Sequence, residues 1–182
     1  MLIDPAEKLD ARAGAPLGTV LPPNDTCELL ARRLAAETQG TVLFDAPSRG
    51  RYATDASIYQ IMPVGVHVPR TADDIATALA IARELKVPVL ARGGGTSQCG
   101  QTTGAALVID TTKHFRNVVD IDAAARTATV EPGIVLDHLN ARLKPLGLWF
   151  PVDVSTSAQA TLGGMAGNNS CEIGRASCRE RV

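Results

Sequence analysis

The sequence has few aromatic residues, no run of basic residues and no long apolar segment, and each shortage argues against a class of protein. Aromatic residues make up only 3% of the 182 positions and the formal net charge is −1, so a surface that binds nucleic acid through cations and stacking rings is not expected. The longest apolar stretch, Ile75 to Ala82, is far too short to cross a bilayer. The first residues lack the basic and apolar regions of a secretory signal, so we expect a soluble, cytoplasmic protein.

The sequence also lacks the cysteine spacings that hold metals. The four cysteines are Cys27, Cys99, Cys171 and Cys178, and the three histidines are His67, His114 and His138. No C-x-x-C pair occurs, and no cysteine and histidine stand at the spacing of a zinc site. We therefore predict reduced thiols, no metal site, and histidines that serve the structure rather than catalysis.

What the sequence does contain is a glycine-rich stretch between two apolar segments, at residues 92–101. Three consecutive glycines at its start remove every Cβ from one bend, so the backbone can adopt positive φ and approach a ligand closely. Successive amides in such a turn can converge on an anion, and Thr96 and Ser97 add hydroxyl groups. The stretch therefore predicts a site for a phosphate or a pyrophosphate.

Three other interpretations of this stretch are weaker. An ordinary tight turn needs one or two residues with positive φ and gains nothing from a third glycine. Gly95 and Gly100 have the glycine spacing of a P-loop, but Gln101 occupies the lysine position. The dinucleotide fingerprint needs glycine where Gln98 stands, and the apolar run from Ala105 leaves no room for the helix that both motifs require. We therefore infer that backbone amides bind the phosphate.

The first third of the chain predicts an extended arm, one helix and one strand. The arm reaches Pro23, because this segment is rich in Ala, Gly and Pro. Capping-box spacing from Asp25 begins a helix that Gly40 ends, and residues 41–44 form a short strand. Residues 49–59 are polar with interspersed aromatic residues, and their pattern predicts neither a helix nor a strand.

Residues 64–91 predict a strand, a helix and a second strand, which together make a βαβ unit with a parallel sheet. Thr71 and Asp74 form a capping box for the helix. The apolar face of this helix consists of Ile75, Ala78, Leu79 and Ala82. The second strand, at residues 87–91, is predicted to be buried. It leads into the glycine-rich stretch at the carboxyl end of the sheet, where open α/β sheets bind ligands.

The second half predicts a lobe of different character. A strand at 106–110 is followed by a hairpin of residues 118–121 and 127–130, and then by a helix that contains Leu136, Leu139 and Leu143. We therefore predict an α+β fold, in which a small parallel lobe precedes a more antiparallel lobe across a crevice. A second cluster of glycines, hydroxyls and amides follows at 161–170. It is either a linker or the other half of a site for a long, dinucleotide-sized ligand.

Several motifs, in order along the chain, resemble a known family. R-G-G-G-T-S at 92–97, E-P-G-I at 131–134, P-V-D-V-S-T-S at 151–157 and A-T-L-G-G-M at 160–165 resemble the FAD-binding domain of the vanillyl-alcohol-oxidase/PCMH class. Within that class, G-L-W-F-P-V-D and G-G-M-A-G-N-N-S-C are most similar to the large bacterial FAD-linked D-2-hydroxyacid dehydrogenases. We therefore expect an N-terminal arm and helix at 1–50 and a partial FAD-binding domain at 51–171.

The resemblance implies which residues surround FAD. The pyrophosphate would be held by Gly93, Gly94, Gly95, Thr96 and Ser97, with Gly100 and Gln101 in the same loop. The cofactor path would be lined by Pro132 and Gly133. The rest of the cofactor would be surrounded by Pro151, Asp153, Ser155, Thr161, Gly163, Gly164 and Asn168. Some members attach the flavin to a histidine in the first loop, which has none here, so we predict non-covalent FAD.

The resemblance also implies an activity for the whole protein, namely oxidation of D-lactate or D-2-hydroxyglutarate by hydride transfer to the flavin. The electrons would pass to an acceptor such as a quinone, through iron–sulfur clusters in later domains, and the protein could associate peripherally with a membrane. Catalytic residues would lie in a later cap domain, so none is assigned here. The alternatives are another flavoprotein, such as a reductase or the flavoprotein subunit of a molybdenum hydroxylase, and a non-catalytic nucleotide-binding fragment.

Residues 172–182 need separate treatment, because they resemble the translation of a common sequencing-library adapter. Such segments are excluded from fold reasoning. We therefore expect a non-native tail on a fragment whose FAD-binding fold is incomplete at its C-terminus, and we expect this fragment to be inactive by itself.

Overall fold

The computed structural model describes residues 21–170, so most of the predicted arm, Cys171, Cys178 and the predicted tail at 172–182 lie outside it. The helices are α1 (Asn24–Glu37), α2 (Ala46–Gly50), α3 (Ala72–Glu84), α4 (Leu136–Leu143), a 3₁₀ turn (Lys144–Leu146) and α5 (Leu162–Gly167). The strands are β1 (Thr41–Leu43), β2 (Gly65–Val68), β3 (Val89–Arg92), β4 (Leu107–Asp110), β5 (Val118–Asp122) and β6 (Thr127–Val130).

The first lobe is a four-stranded sheet with the order β1-β2-β4-β3. β4 pairs in parallel with both β2 and β3, and β1 pairs antiparallel with β2. The predicted parallel βαβ unit is confirmed, although β4 lies between its two strands. The prediction that the second strand is buried is wrong. β3 is an edge strand in which Val89 and Ala91 are exposed, because the later strand β4 occupies the central position.

The core of this lobe lies between the sheet and the pair α1 and α3. Leu30, Leu34 and Leu107 are fully buried there. The capping box of Thr71 and Asp74 forms as predicted. Leu79 was predicted on the buried face but is 46% exposed, and Ile81 is buried instead.

Two helices, α1 and α5, differ from the expectations drawn from the sequence. α1 begins at Asn24 after Pro23 and has no side-chain cap, so the capping box predicted from Asp25 does not form. The second glycine cluster, at residues 161–170, is not a linker, since most of it forms α5, a helix that the sequence pattern did not predict. Thr161 caps this helix by accepting a hydrogen bond from the Gly164 amide at 3.4 Å.

The second lobe contains the predicted hairpin, in which β5 and β6 pair antiparallel. The apolar face of α4 packs Leu139 and Leu143 against this hairpin, whereas Leu136 packs with Ala160 and Met165. A parallel lobe is therefore followed by an antiparallel one, which confirms the α+β prediction.

His67 on β2 predicts a pH dependence of folding. Its side chain is fully buried, and among residues 21–170 neither ring nitrogen has a hydrogen-bond partner. Burial lowers the pKa of His67, although the nearby Asp74 carboxylate and the Thr41 backbone, which approaches the ring without forming a hydrogen bond of normal geometry, oppose this shift. Below an unfolded pKa of about 6.5 the unfolded chain binds a proton that the folded chain resists. We therefore expect the free energy of unfolding to fall as the pH decreases from 7 to 5.

Urea unfolding at a series of pH values tests this expectation for the wild type, for His67→Leu and for His114→Leu. The His67→Leu variant should lose the dependence between pH 7 and 5, and the variant at the exposed His114 should keep it. An identical pH profile in all three proteins would show that another group carries the effect.

Candidate functional site

The glycine-rich stretch follows β3 and is part of the connection to β4. It begins at the carboxyl edge of the parallel sheet, where Arg92 at the end of β3 pairs with Asp110 at the end of β4. Two of its glycines have positive φ, +67° at Gly95 and +75° at Gly100. Gly93 and Gly94 do not adopt this conformation, so the loop needs them for another reason. That reason is close contact with the second lobe.

The loop presents six consecutive backbone amides, from Gly93 to Gln98, that donate to no acceptor within the described part of the chain. The next amide, that of Cys99, donates to the Ser97 hydroxyl at 3.3 Å. Ser97 is buried, and its Oγ donates to the side-chain oxygen of Gln101. These six amides, called the amide row below, are donors without an acceptor in residues 21–170.

The second glycine cluster packs directly on the first. A Cβ atom at Gly93 would overlap Thr161 Oγ1 and lie 3.7 Å from Gly164 Cα. A Cβ atom at Gly94 would overlap the backbone oxygen of Gln159. The two clusters that the sequence predicts on one ligand are therefore in contact where the two lobes meet.

Other predicted site residues lie beneath this contact, with their amides already bonded. Gly163 donates to the Pro132 backbone oxygen at 2.8 Å, and Gly133 donates to Phe115 at 2.7 Å. A Cβ atom at Gly163 would lie 2.6 Å from Pro132 Cβ. These residues are therefore placed to hold the second cluster against the first, and their amides are not available to a ligand.

The remaining predicted residues lie at the surface around the contact. Pro151, Asp153 and Ser155 are exposed in the loop between Phe150 and α5, and Asn168 is exposed at the end of α5. Thr161 is the exception, because it is 3% exposed at the start of that helix.

The sequence reasoning missed a network that supports the loop from residues 52–55. The Arg92 guanidinium donates to the Thr54 backbone oxygen at 2.9 Å and to the Thr102 backbone oxygen at 3.1 Å, and lies 5.8 Å from the centre of the Tyr52 ring. Asp55 accepts a hydrogen bond from the Thr102 hydroxyl at 3.1 Å. The signal available was the polar segment 49–59 with its aromatic residues, which has no regular periodicity.

Two ionisable groups of this region have shifted pKa values. Burial and the hydrogen bond that Tyr52 donates to Asp110 at 2.7 Å raise the pKa of Tyr52 to about 12. Burial alone would raise the pKa of Asp55, but hydrogen bonds from Ser57 and Thr102 lower it. Tyr52 is therefore protonated and Asp55 is ionised at neutral pH.

The histidines lie away from this contact. His67 is in the sheet core, and His114 and His138 are exposed. Within residues 21–170 no group of three or more His, Cys, Asp or Glu side chains is arranged to hold a metal ion. No helix in that range has the length and apolar character needed to cross a membrane.

Solved structures with this fold include a synthase and an oxidase. An alkyldihydroxyacetonephosphate synthase superposes with a TM-score of 0.69 at 19% identity, over 82% of this chain and 33% of that one. A 4-ethylphenol oxidase from Gulosibacter chungangensis has the same TM-score at 16% identity, over 82% of this chain and 30% of that one. At this level of identity the likeness shows the fold, which is the predicted PCMH-type fold.

The family is shown by sequence. The model of an FAD binding domain family matches residues 63–179, and the chain belongs to that family. Its cofactor is therefore FAD, as predicted.

Similar curated proteins include two D-2-hydroxyglutarate dehydrogenases. The one from Pseudomonas putida is 38% identical over 169 residues, which cover 88% of this chain and 17% of that protein. The one from Pantoea ananatis is 41% identical over 116 residues, which cover 62% of this chain and 11% of that protein. The predicted resemblance to FAD-linked D-2-hydroxyacid dehydrogenases is thus confirmed, and the chain spans less than a fifth of the length of these two relatives.

Proposed function

We propose that the amide row binds the pyrophosphate of FAD, and the six free amides are the observation that carries this proposal. Unbonded amides are costly when they are removed from water, and a diphosphate offers oxygen acceptors to several of them at once. Gly93, Gly94, Gly95, Thr96 and Ser97 supply five of the six donors, and the Gln98 amide is the sixth. Gln101 fixes the Ser97 side chain, and Gly100 provides the turn that brings Gln101 there.

We assign the rest of the cofactor site to the surface beside the contact between the clusters. Thr161, Gly163 and Gly164 begin α5 next to the amide row, and Pro132 and Gly133 hold that helix start in place. The exposed surface around them is formed by Pro151, Asp153, Ser155 and Asn168. These residues are proposed to face the remainder of FAD, including the flavin.

The whole protein is proposed to oxidise a D-2-hydroxy acid. When bound, the flavin would accept the hydride that leaves the carbon carrying the hydroxyl group. Support comes from the names of the relatives. The two described above are D-2-hydroxyglutarate dehydrogenases. A protein of Danio rerio that is 33% identical over 125 residues is named a probable D-lactate dehydrogenase. The contribution of this chain is to bind and orient the cofactor. The substrate groups and the route to an acceptor such as a quinone, with or without iron–sulfur clusters, are assigned to segments beyond it.

Reconstitution with FAD tests the cofactor proposal directly. The purified chain should quench flavin fluorescence on titration with FAD, and acid precipitation should release the yellow colour into the supernatant because attachment is non-covalent. Colour that stays in the pellet would contradict non-covalent binding, and unchanged fluorescence would contradict the proposed site.

Substrate identity is tested with the full-length protein under anaerobic conditions. Mixing with D-2-hydroxyglutarate or D-lactate should bleach the visible flavin absorbance, and the L-enantiomers serve as matched controls. Bleaching by L-hydroxy acids alone would overturn the proposed stereochemistry, and bleaching only by NADH would favour a reductase.

A further inference from the structure

Arg92 is held rigidly at the base of the glycine-rich loop. Its Nη2 donates to the Thr54 backbone oxygen at 2.9 Å, and its Nη1 donates to the backbone oxygen and the hydroxyl of Thr102 at 3.1 and 3.3 Å. The guanidinium carbon Cζ also lies over the Tyr52 ring, at 5.8 Å from its centre. An arginine fork bonded to fixed acceptors on two segments has little freedom to turn away.

The charge of Arg92 is not neutralised by an ion pair within residues 21–170. The ion pairs of this range join Arg33 to Glu37 and to Glu84. The two carboxylates of the supporting network bond other groups, since Asp55 accepts from Ser57 and Thr102, and Asp110 accepts from Tyr52 and Thr112. All hydrogen-bond acceptors of Arg92 are neutral oxygens.

The guanidinium packs against the amide row at Gly95. A Cβ atom built at Gly95 would overlap the Nη2 atom of Arg92 and lie 3.0 Å from Nε. Gly95 is in the middle of the amide row, and its positive φ turns the backbone around the arginine. A full positive charge therefore lies next to donors that carry only partial charges, close to where the proposed function places a diphosphate.

We propose that Arg92 is an electrostatic positioning residue for the diphosphate of FAD, held behind the loop by Tyr52, Thr54 and Thr102. The inference rests on the proposed function of the amide row. It extends the cofactor site to the segment 52–54, which precedes the residues 63–179 that match the family model. A charge at this position attracts the phosphates through space, while the hydrogen bonds to Thr54 and Thr102 keep the guanidinium in place.

The test compares Arg92→Gln, Arg92→Lys and the control Arg83→Gln in the full chain. Arg83 is an exposed arginine on α3, away from the loop. Binding of FAD and of ADP, which carries the same diphosphate, is measured by titration at several NaCl concentrations. Urea unfolding of each variant reports whether the fold is retained.

We expect Arg92→Gln to weaken FAD and ADP binding by about tenfold or more, and to flatten the salt dependence that screening produces in the wild type. Arg92→Lys keeps the charge and should stay within about threefold of the wild type, as should Arg83→Gln. Wild-type affinity in Arg92→Gln would overturn the inference. Equal losses in Arg92→Gln and Arg92→Lys with unchanged salt dependence would also overturn it, since only the neutral hydrogen bonds would then matter.

The outcomes separate this inference from the proposed function. If the wild type binds ADP but not FAD, the FAD proposal fails, and the ADP data still decide the role of Arg92. If the wild type binds neither, both fail. If Arg92→Gln does not fold, the inference is decided by Arg92→Lys and by the wild-type salt series, where a salt-independent affinity would refute it.

Discussion

Gly94→Ala is expected to cost this chain most of its FAD affinity. The added methyl group would overlap the backbone oxygen of Gln159, and a backbone atom cannot rotate away as a side chain can. Relief requires the glycine-rich loop to move from the second cluster, which misplaces the amide row. Overpacking of this kind costs about 1 to 3 kcal/mol, so we expect FAD affinity to fall by about 10- to 100-fold. Gly94→Asp should bind more weakly still, because it adds a negative charge beside the phosphates.

Two glycine substitutions provide matched controls for Gly94→Ala. A Cβ atom at Gly167, on the last turn of α5, or at Gly50, on α2, meets nothing within 4 Å. Neither glycine has a positive φ. FAD titration of Gly167→Ala and Gly50→Ala should therefore match the wild type. Wild-type binding by Gly94→Ala would show that the contact between the clusters does not position the amide row.

The sequence predicts the local elements well, because their signals are local. The capping box of Thr71 and Asp74, the turn between β5 and β6 and the apolar repeat of α4 each lie within a few residues of the element they specify. The order of strands in the sheet is not local. β4 enters between β2 and β3 from later in the chain, so the prediction that β3 is buried was wrong.

The glycine-rich loop shows the same limit at the site. Its composition predicts an anion site, and the structure places the loop at the end of a parallel strand, where the sequence predicted it. The individual roles of the glycines depend on residues far away in the sequence, since Gly93 meets Thr161 and Gly94 meets Gln159. The expectation of positive φ applies to Gly95 and Gly100 instead. Residues 52–55 gave no periodic signal, because they act through single hydrogen bonds from an irregular segment.

Asp74→Ala is expected to destabilise the chain more than other polar substitutions in the first lobe. The Asp74 carboxylate is 4% exposed and accepts backbone hydrogen bonds from Gln39 at 2.8 Å, Arg70 at 2.8 Å and Thr71 at 3.3 Å. One carboxylate thus joins the start of α3 to the segment between α1 and β1. Alanine would leave three donors without this acceptor, which we expect to cost about 3 kcal/mol or more in the free energy of unfolding. Urea unfolding of the purified variant measures this loss.

The neighbouring Asp73→Ala is the matched control, because Asp73 is exposed in the same first helical turn. It should lose only its favourable interaction with the helix dipole, about 0.3 to 1 kcal/mol. Equal losses in the two variants would show that the buried hydrogen bonds are not the cause.

The pH profile of Asp74→Asn separates the charge of Asp74 from its shape. Burial favours the protonated acid, but the three amide hydrogen bonds outweigh it and lower the pKa of Asp74. A carboxyl group with a lowered folded pKa stabilises the fold above its unfolded pKa of about 3.9, and this contribution is lost as the pH falls further. Wild type and Asp74→Asn should therefore differ most in unfolding free energy at neutral pH and converge below pH of about 4. A difference that stays constant down to pH of about 2 would mean that the ionised form has no special role, because a titrating carboxylate must lose its advantage in that window.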